Sequence, residues 1–305
     1  MSADAGRLIV EEQGPRDGFQ SQSKCLSTAE KIGVITALVE AGLPRIQICS
    51  FVHPRLVPQM ADAEALCAEL PRREGVIYSG LTLNQKGVER AIDAGLEHIA
   101  ASISVSDAHS LKNTRMSLSD ARARFGQMVD TAHGAGLQVR AGLQCVFGCR
   151  IQGSIPRQHI MDLIKSHLDT GVAELALADS TGMGHPGLMR DIVGEALELA
   201  AGKPVFLHLH DTEGKGIANA LAAMRVGARH FDTGLAGMGG CPFIKGATGN
   251  IATEDLVHVA HQLGYHTGID ISAVAAVSHR VETLYGQFFP GKMHRVLRMT
   301  ERKEA

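Results

Sequence analysis

The sequence of 305 residues has almost no net charge and no run of lysine or arginine. Thirty Lys and Arg stand against 32 Asp and Glu, a formal charge of −2. A nucleic-acid or anionic-membrane partner needs a basic patch, so neither is expected. No apolar run approaches the ~20 residues that span a bilayer. Met1 to Arg7 shows neither an apolar signal core nor an Arg-rich amphipathic presequence. The expectation is a soluble cytoplasmic protein. Cysteine is sparse: Cys25, Cys49, Cys67, Cys145, Cys149 and Cys241. In a reducing compartment these read as buried thiols rather than a disulfide framework. Cys145 and Cys149 lie four apart, but no second pair completes a zinc set. There is no linker, low-complexity tract or second domain. No glycine fingerprint of a dinucleotide fold follows the first strand, which weakens an open doubly wound sheet, the alternative architecture.

What is present is a regular alternation. Short apolar runs at 8–12, 46–51, 76–82, 98–104, 138–146, 174–179, 205–211 and 230–236 read as eight strands. Amphipathic segments lie between them, at 27–41, 58–70, 85–94, 117–133, 156–170, 186–200 and 216–226. Gly42, Gly95 and Gly227 stop helices before strands. Pro58, Pro156 and Pro186 suit first helical turns, where a missing N–H has no helical partner. Eight strand–helix units in series predict an α/β fold, a (β/α)8 TIM barrel over about residues 8–265. Residues 1–305 then form one catalytic domain. Helices at 251–263 and 271–288 follow strand eight. The second is extra to the barrel, within a C-terminal extension of about 266–305, and caps the barrel or joins a subunit interface. The tail from Lys292 is charged and carries no chemical signal.

A barrel places function on the loops that follow its strands. The polar residues obey that demand. Strand one is followed by Gly14-Pro-Arg-Asp-Gly18, a tight turn that holds Arg16 and Asp17 at the mouth. Thr82 follows strand three, and Asp179 ends strand six. Strand seven carries His208 and His210, two residues apart and so on one face. Such a pair is either a hydrogen-bonded core pair or two metal ligands. With the hard oxygen of Asp17 on the same rim, the metal reading is favoured. Mixed oxygen and nitrogen ligation fits Mg2+, Mn2+, Co2+ or Zn2+. The loop from Gly237 to Asn250 has five glycines between Gly237 and Gly249. It is expected to be mobile and to carry the Cys241 thiol to a site as acid or base.

Four segments together resemble the 3-hydroxy-3-methylglutaryl-CoA lyase family, within a wider group of metal-dependent barrel lyases and synthases. They are Glu12-Gln-Gly-Pro-Arg-Asp-Gly-Phe-Gln20, Ser50-Phe-Val-His-Pro-Arg-Leu-Val-Pro-Gln-Met60, His208-Leu-His-Asp-Thr212 and Gly237-Met-Gly-Gly-Cys-Pro-Phe243 through Gly249-Asn-Ile-Ala-Thr-Glu-Asp255. The similarity runs from about residue 8 to residue 270. The resemblance implies a retro-aldol cleavage to acetyl-CoA and acetoacetate. It implies a divalent cation, Mg2+ or Mn2+ first, held by Asp17, His208, His210 and Asn250. Arg16 would stabilise enolate charge, Cys241 would be a mobile acid/base, and Asp179 would match an acidic site residue. His208 or an aspartate at the metal would take the hydroxyl proton. Arg16, Gln20, Gln47, Thr82 and Arg150 would meet an acyl-CoA substrate, in a homo-oligomer, dimer or tetramer.

The sequence departs from this pattern at one rim. Gln47 stands where the family has glutamate. Arg150 and Gln152 stand where it tends to have proline and glutamate. Gln13 and Ser21 flank the Arg-Asp turn in place of an apolar residue and an asparagine. These changes point to a different acyl group or a weakened activity. A Claisen-type synthase joining an acyl-CoA to a 2-oxo acid and a binding barrel without turnover are the alternatives.

Overall fold

The computed structural model describes residues 5–240 and 249–304, with side chains through residue 298. Eight parallel strands close into a barrel in sequence order. They are β1 (Ile9–Glu12), β2 (Arg45–Ser50), β3 (Ile77–Thr82), β4 (His98–Ser104), β5 (Gln138–Gln144), β6 (Glu174–Asp179), β7 (Val205–Leu209) and β8 (His230–Thr233). Closure is the pairing of β1 with β8, where Ile9 lies opposite His230 and Glu12 opposite Thr233. The expected barrel is observed, and closure excludes the open sheet.

Around it lie α1 (Thr28–Glu40), α2 (Ala63–Glu69), α3 (Gln85–Asp93), α4 (Asp107–Thr114), α5 (Leu118–Gly134) and α6 (Arg157–Leu168). They continue with α7 (Pro186–Leu188), α8 (Gly194–Ala200), α9 (Gly216–Arg225) and α10 (Thr253–Gln262). A π-helical turn, Met189–Val193, joins α7 to α8. Capping sets the starts: the Ser27 hydroxyl and Glu30 carboxylate exchange backbone bonds in a capping box at α1. Outward residues of each strand, such as Ile46 and Ile48 on β2 or Leu175 and Leu177 on β6, are buried against these helices.

Three features differ from the sequence reading. α4 was not expected; Ser106 caps it by accepting from His109 N. The tail is not featureless, because α11 (Ile271–Tyr285) is followed by α12 (Met293–Glu304). The extension therefore holds two extra helices rather than one. Strand eight stops at Thr233, since Leu235–Gly237 turn as a 3-10 helix with Ala236 at φ 55°.

The inside of the barrel is charged. Arg45 donates a fork to Glu174, both bonds 2.7 Å, and a third bond of 2.7 Å to Glu11. Arg140 donates to Glu174 (3.1 Å), to Asp232 (2.9 Å) and to Glu11. Both guanidinium groups lie over the Phe206 ring, Arg140 at 3.6 Å from its centroid. Buried charge persists where each group is paired and hydrogen-bonded, as these are. This network floors the cavity at the strands' C-terminal ends.

Candidate active site

The turn after β1 is a single π-helical turn, Gly14–Gly18. The Gln13 carbonyl accepts from Asp17 N at 2.7 Å, and Glu12 Oε1 accepts from Gly14 N at 2.6 Å. Gly14 has no room for a side chain: a Cβ there would sit 1.9 Å from Leu235 Cδ2. The close fit pushes Arg16 and Asp17 over the cavity. Three groups hold the Arg16 guanidinium. Nε donates to Gln47 Oε1 at 2.5 Å, Nη1 to Asp17 Oδ1 at 2.6 Å, and Nη2 to Gln13 Oε1 at 2.9 Å.

β7 brings in the two imidazoles. His208 Nε2 lies 3.1 Å from His210 Nε2, and one ligand atom each of Asp17, His208 and His210 falls within 4.8 Å of the others. Residues beyond the glycine loop return beside β7: Asp211 N donates to Gly249 O, and Ile251 N to Leu209 O. That pairing sets Asn250 opposite His210. Asn250 Nδ2 donates to Asp17 Oδ2 at 2.8 Å and to Met238 O at 2.9 Å. Asn250 Oδ1 is buried and has no hydrogen-bond partner among the described residues.

Electrostatics keep these donors in a ligating state. Burial raises the Asp17 carboxyl, but its neighbours, Arg16 foremost, outweigh it, and its pKa lies below the ordinary value. Burial, helped by His208, pushes His210 down to about 4, so its imidazole is neutral at pH 7. His208 Nδ1 lies 3.3 Å from Asp232 Oδ2, an acceptor that places a proton on that nitrogen and turns Nε2 toward the mouth. Two facing imidazole nitrogens, one carboxylate and an unpartnered amide oxygen make a donor set that fits a divalent cation.

The cavity above the floor has a volume of about 200 Å³. Arg16, Asp17, Gln20, Gln47, His208 and His210 line it, as do Ser102, His109, Asn113 and Gln144. Gln20 Oε1 also accepts from Ser50 Oγ at 3.1 Å. Thr82, Asp179 and Arg150 are not brought into the cavity, contrary to expectation. Strand alternation explains the first two. Leu81 lines the cavity, while Thr82 points out and donates to the Ala100 carbonyl at 3.3 Å. Ala176 and Ala178 face in, so Asp179 faces the helices, where Oδ2 accepts from Gly184 N at 3.0 Å. Burial there raises its pKa to about 6. Arg150 is half exposed and paired with Glu213, which also takes Lys215 Nζ at 2.8 Å. Gln152 accepts from Ser106 Oγ at 2.8 Å, outside the cavity lining. Cys241 lies outside the described residues; Gly240 just before it lines the cavity. Sequence reasoning missed Asp232 and Arg140 beneath the histidines, and Asn113 and His109 on α4. Period-two parity on β5 and β8 was the available signal for the first pair.

A closed parallel barrel with this donor set on its C-terminal rim defines a (β/α)8 enzyme scaffold with a cation-binding mouth. The chain belongs to the HMGL-like family, whose model matches residues 7–281. It is 39% identical over 281 residues to the hydroxymethylglutaryl-CoA lyase of Pseudomonas mevalonii, covering 91% of this chain and 92% of that one. Against the mitochondrial hydroxymethylglutaryl-CoA lyase of Mus musculus, identity is 38% over 265 residues, 87% of this chain and 82% of that one. Among solved structures, an HMG-CoA lyase of Acinetobacter baumannii in complex with coenzyme A and 3-methylmalate superposes with a TM-score of 0.92. That pair shares 37% identity over 97% of this chain and 96% of the other.

Proposed function

We propose that the chain is a divalent-cation-dependent carbon–carbon lyase. It cleaves 3-hydroxy-3-methylglutaryl-CoA, or a related 3-hydroxyacyl-CoA, into acetyl-CoA and a 3-oxo acid such as acetoacetate. The observation that carries this reading is the convergence of Asp17, His208, His210 and Asn250 beside Arg16. Relatives of 37–39% identity named for that reaction support it. Bound there, Mg2+ or Mn2+ would supply Lewis-acid polarisation of the substrate hydroxyl.

The chain's own residues supply the rest. Arg16 is held rigid by three acceptors and aims a fixed positive charge at the cavity, where enolate oxygen charge develops. Asp17 and His208 are the basic groups from which the hydroxyl proton acceptor is drawn. Cys241, next after Gly240 in the chain, protonates the enolate carbon. The same reading takes an acyl-CoA as partner and a cytoplasmic homo-oligomer as the working state. No helix among the described residues is long and apolar enough to cross a membrane.

Purified protein with Mg2+ or Mn2+ is tested against a panel of 3-hydroxyacyl-CoA thioesters, with products resolved by mass spectrometry. Acetyl-CoA plus a 3-oxo acid is expected, and a chelator abolishes both. Absence of product from the whole panel sinks the proposal. One observation favours a changed acyl group. Gln47 spends Oε1 on Arg16, which leaves the Nε2 donor for the cavity that Gln47 lines. A glutamate would present only acceptors there.

A further inference from the structure

We propose a second cation site, outside the barrel, formed by His279, Glu282 and His294 and suited to Zn2+ or another borderline transition ion. His279 and Glu282 are three apart on α11 and so share a face. His294 arrives from the first turn of α12. Glu282 lies between the rings, with Oε2 3.4 Å from His279 Nδ1 and Oε1 3.1 Å from His294 Nε2. One ligand atom from each of the three lies within 4.8 Å of the others. Tetrahedral ligands about 2.0–2.1 Å from zinc lie about 3.3 Å from one another. The two separations, to different oxygens of the carboxylate, are of that order, and one ligand atom from each residue closes within 4.8 Å.

Tautomer bookkeeping supplies an independent reason. His279 Nε2 lies 2.9 Å from the His294 carbonyl oxygen, which can only accept. The ring proton of a neutral His279 therefore sits on Nε2, and the Nδ1 lone pair faces the Glu282 carboxylate. That contact is held by a positive charge between the two groups, either a proton on Nδ1 or a metal ion. An imidazole whose outer nitrogen donates to a backbone carbonyl is the usual arrangement of a metal-bound histidine. His294 is fully buried, and its Nδ1 has no hydrogen-bond partner among the described residues. The His279 side chain keeps 18% exposure, which leaves an open edge for the ion and for water to complete its shell. Two imidazoles and one carboxylate favour zinc-like ions over Mg2+.

The clamp has a place in the fold. It ties α12 to α11 across the 286–292 link. Gly291 N donates to Ala236 O at 2.7 Å, and Met293 N to Asp255 Oδ1 at 2.7 Å. The link therefore braces the turn from which the glycine loop springs, and an ion at His279 would stiffen that root.

The test uses the full chain stripped of metal, dialysed against Zn2+ and counted by elemental analysis, with Co2+ absorption as the spectroscopic readout. A background variant, H208A with H210A, removes the barrel site. In that background one equivalent of Zn2+ is expected, with a tetrahedral Co2+ spectrum. Adding H279A or, separately, E282Q should lose that equivalent. Each variant's circular dichroism is compared with its parent, and E282Q, isosteric with the parent, guards against a folding defect in H279A. No zinc in the background variant, or zinc retained by both added substitutions, overturns the proposal. So does nitrogen NMR showing His279 doubly protonated at neutral pH in the presence of Zn2+.

Discussion

Asp232→Asn tests the coupling between the charged floor and the mouth. On β8, Asp232 lies opposite His208 in the strand register. Its Oδ2 is 3.3 Å from His208 Nδ1, and its Oδ1 accepts from Arg140 Nη1 at 2.9 Å. Burial pushes its pKa up, but Arg140 and His208 outweigh that, so the group is charged at neutral pH. Both neighbours are donors. An asparagine has one oxygen and one NH2, so one of the two contacts becomes donor against donor. Leaving a buried donor unmet costs about 1–3 kcal/mol of stability. If the lost contact is with His208, its ring is no longer held with Nε2 toward the mouth. Loss of such an outer partner lowers metal affinity about 10–100-fold, or ~1.4–2.7 kcal/mol. The assay is Mn2+ titration by calorimetry or electron paramagnetic resonance, beside unfolding of the metal-free protein. The expected result is Mn2+ affinity down at least tenfold in a protein that still folds. Affinity within twofold of wild type, with the fold retained, would refute the coupling.

Three further outcomes follow from the same geometry. Arg16→Lys replaces a fork that grips Gln13, Asp17 and Gln47 with a point charge that cannot span all three. Turnover should fall about 10²–10³-fold while Mn2+ affinity stays near wild type; an equal loss of both would place Arg16 in metal binding instead. Glu254 is pushed up to about 8 by burial, although Ser278 and Ala236 N hydrogen-bond to it. The folded state thus holds its proton more tightly than the unfolded one, and wild-type stability falls as pH rises from about 4.5 to about 8. Glu254→Gln removes that slope, so the melting-temperature difference between variant and wild type should shift in the variant's favour across that window. A difference independent of pH would show that Glu254 ionises normally. Gln47→Glu restores an anion beside Arg16 Nε and removes the amide donor. The ratio of kcat/KM for 3-hydroxy-3-methylglutaryl-CoA to that for the best other thioester should rise, and an unmoved ratio would free Gln47 of any role in acyl choice.

The barrel was legible because its signals are local. Apolar runs broken by Gly42, Gly95 and Gly227 mark strand starts without knowledge of any partner. His208 and His210 were legible as a same-face pair, since strand parity needs only two positions. Parity equally predicts that Asp179 and Ala178 face opposite ways, yet its place at a strand end made Asp179 look like a rim residue. Asn250 could be placed only through the resemblance, because its approach to His210 depends on chain that returns after the glycine loop. The charged floor was not legible. Arg45 meets Glu174 across 129 residues, and nothing near either one announces the pairing. α4 escaped because Asp107–Thr114 has few apolar residues to set a period. The meeting of α11 with α12 likewise depends on contacts made after the chain has folded back.

The floor also explains how the mouth is polarised. Arg45 and Arg140 face Glu11, Glu174 and Asp232, so two cations meet three carboxylates. Of the three carboxylates, Asp232 is the one in contact with His208. Beside the imidazoles Arg16 has one anion, Asp17, and two neutral partners, Gln13 and Gln47. The negative floor beneath the imidazoles and the guanidinium beside them therefore polarise the mouth. That field would favour a cation at the imidazoles and an oxyanion at Arg16. Removing a partner from a buried pair costs up to about 3–5 kcal/mol, so any change to the floor is destabilising. The guanidinium's neutral partners carry no such penalty. A carboxylate at position 47 would cancel part of Arg16's charge, whereas the amide leaves it for the substrate. The imidazole end is thus fixed by the fold, and Gln13 and Gln47 are where this chain is free to set which anion it accepts.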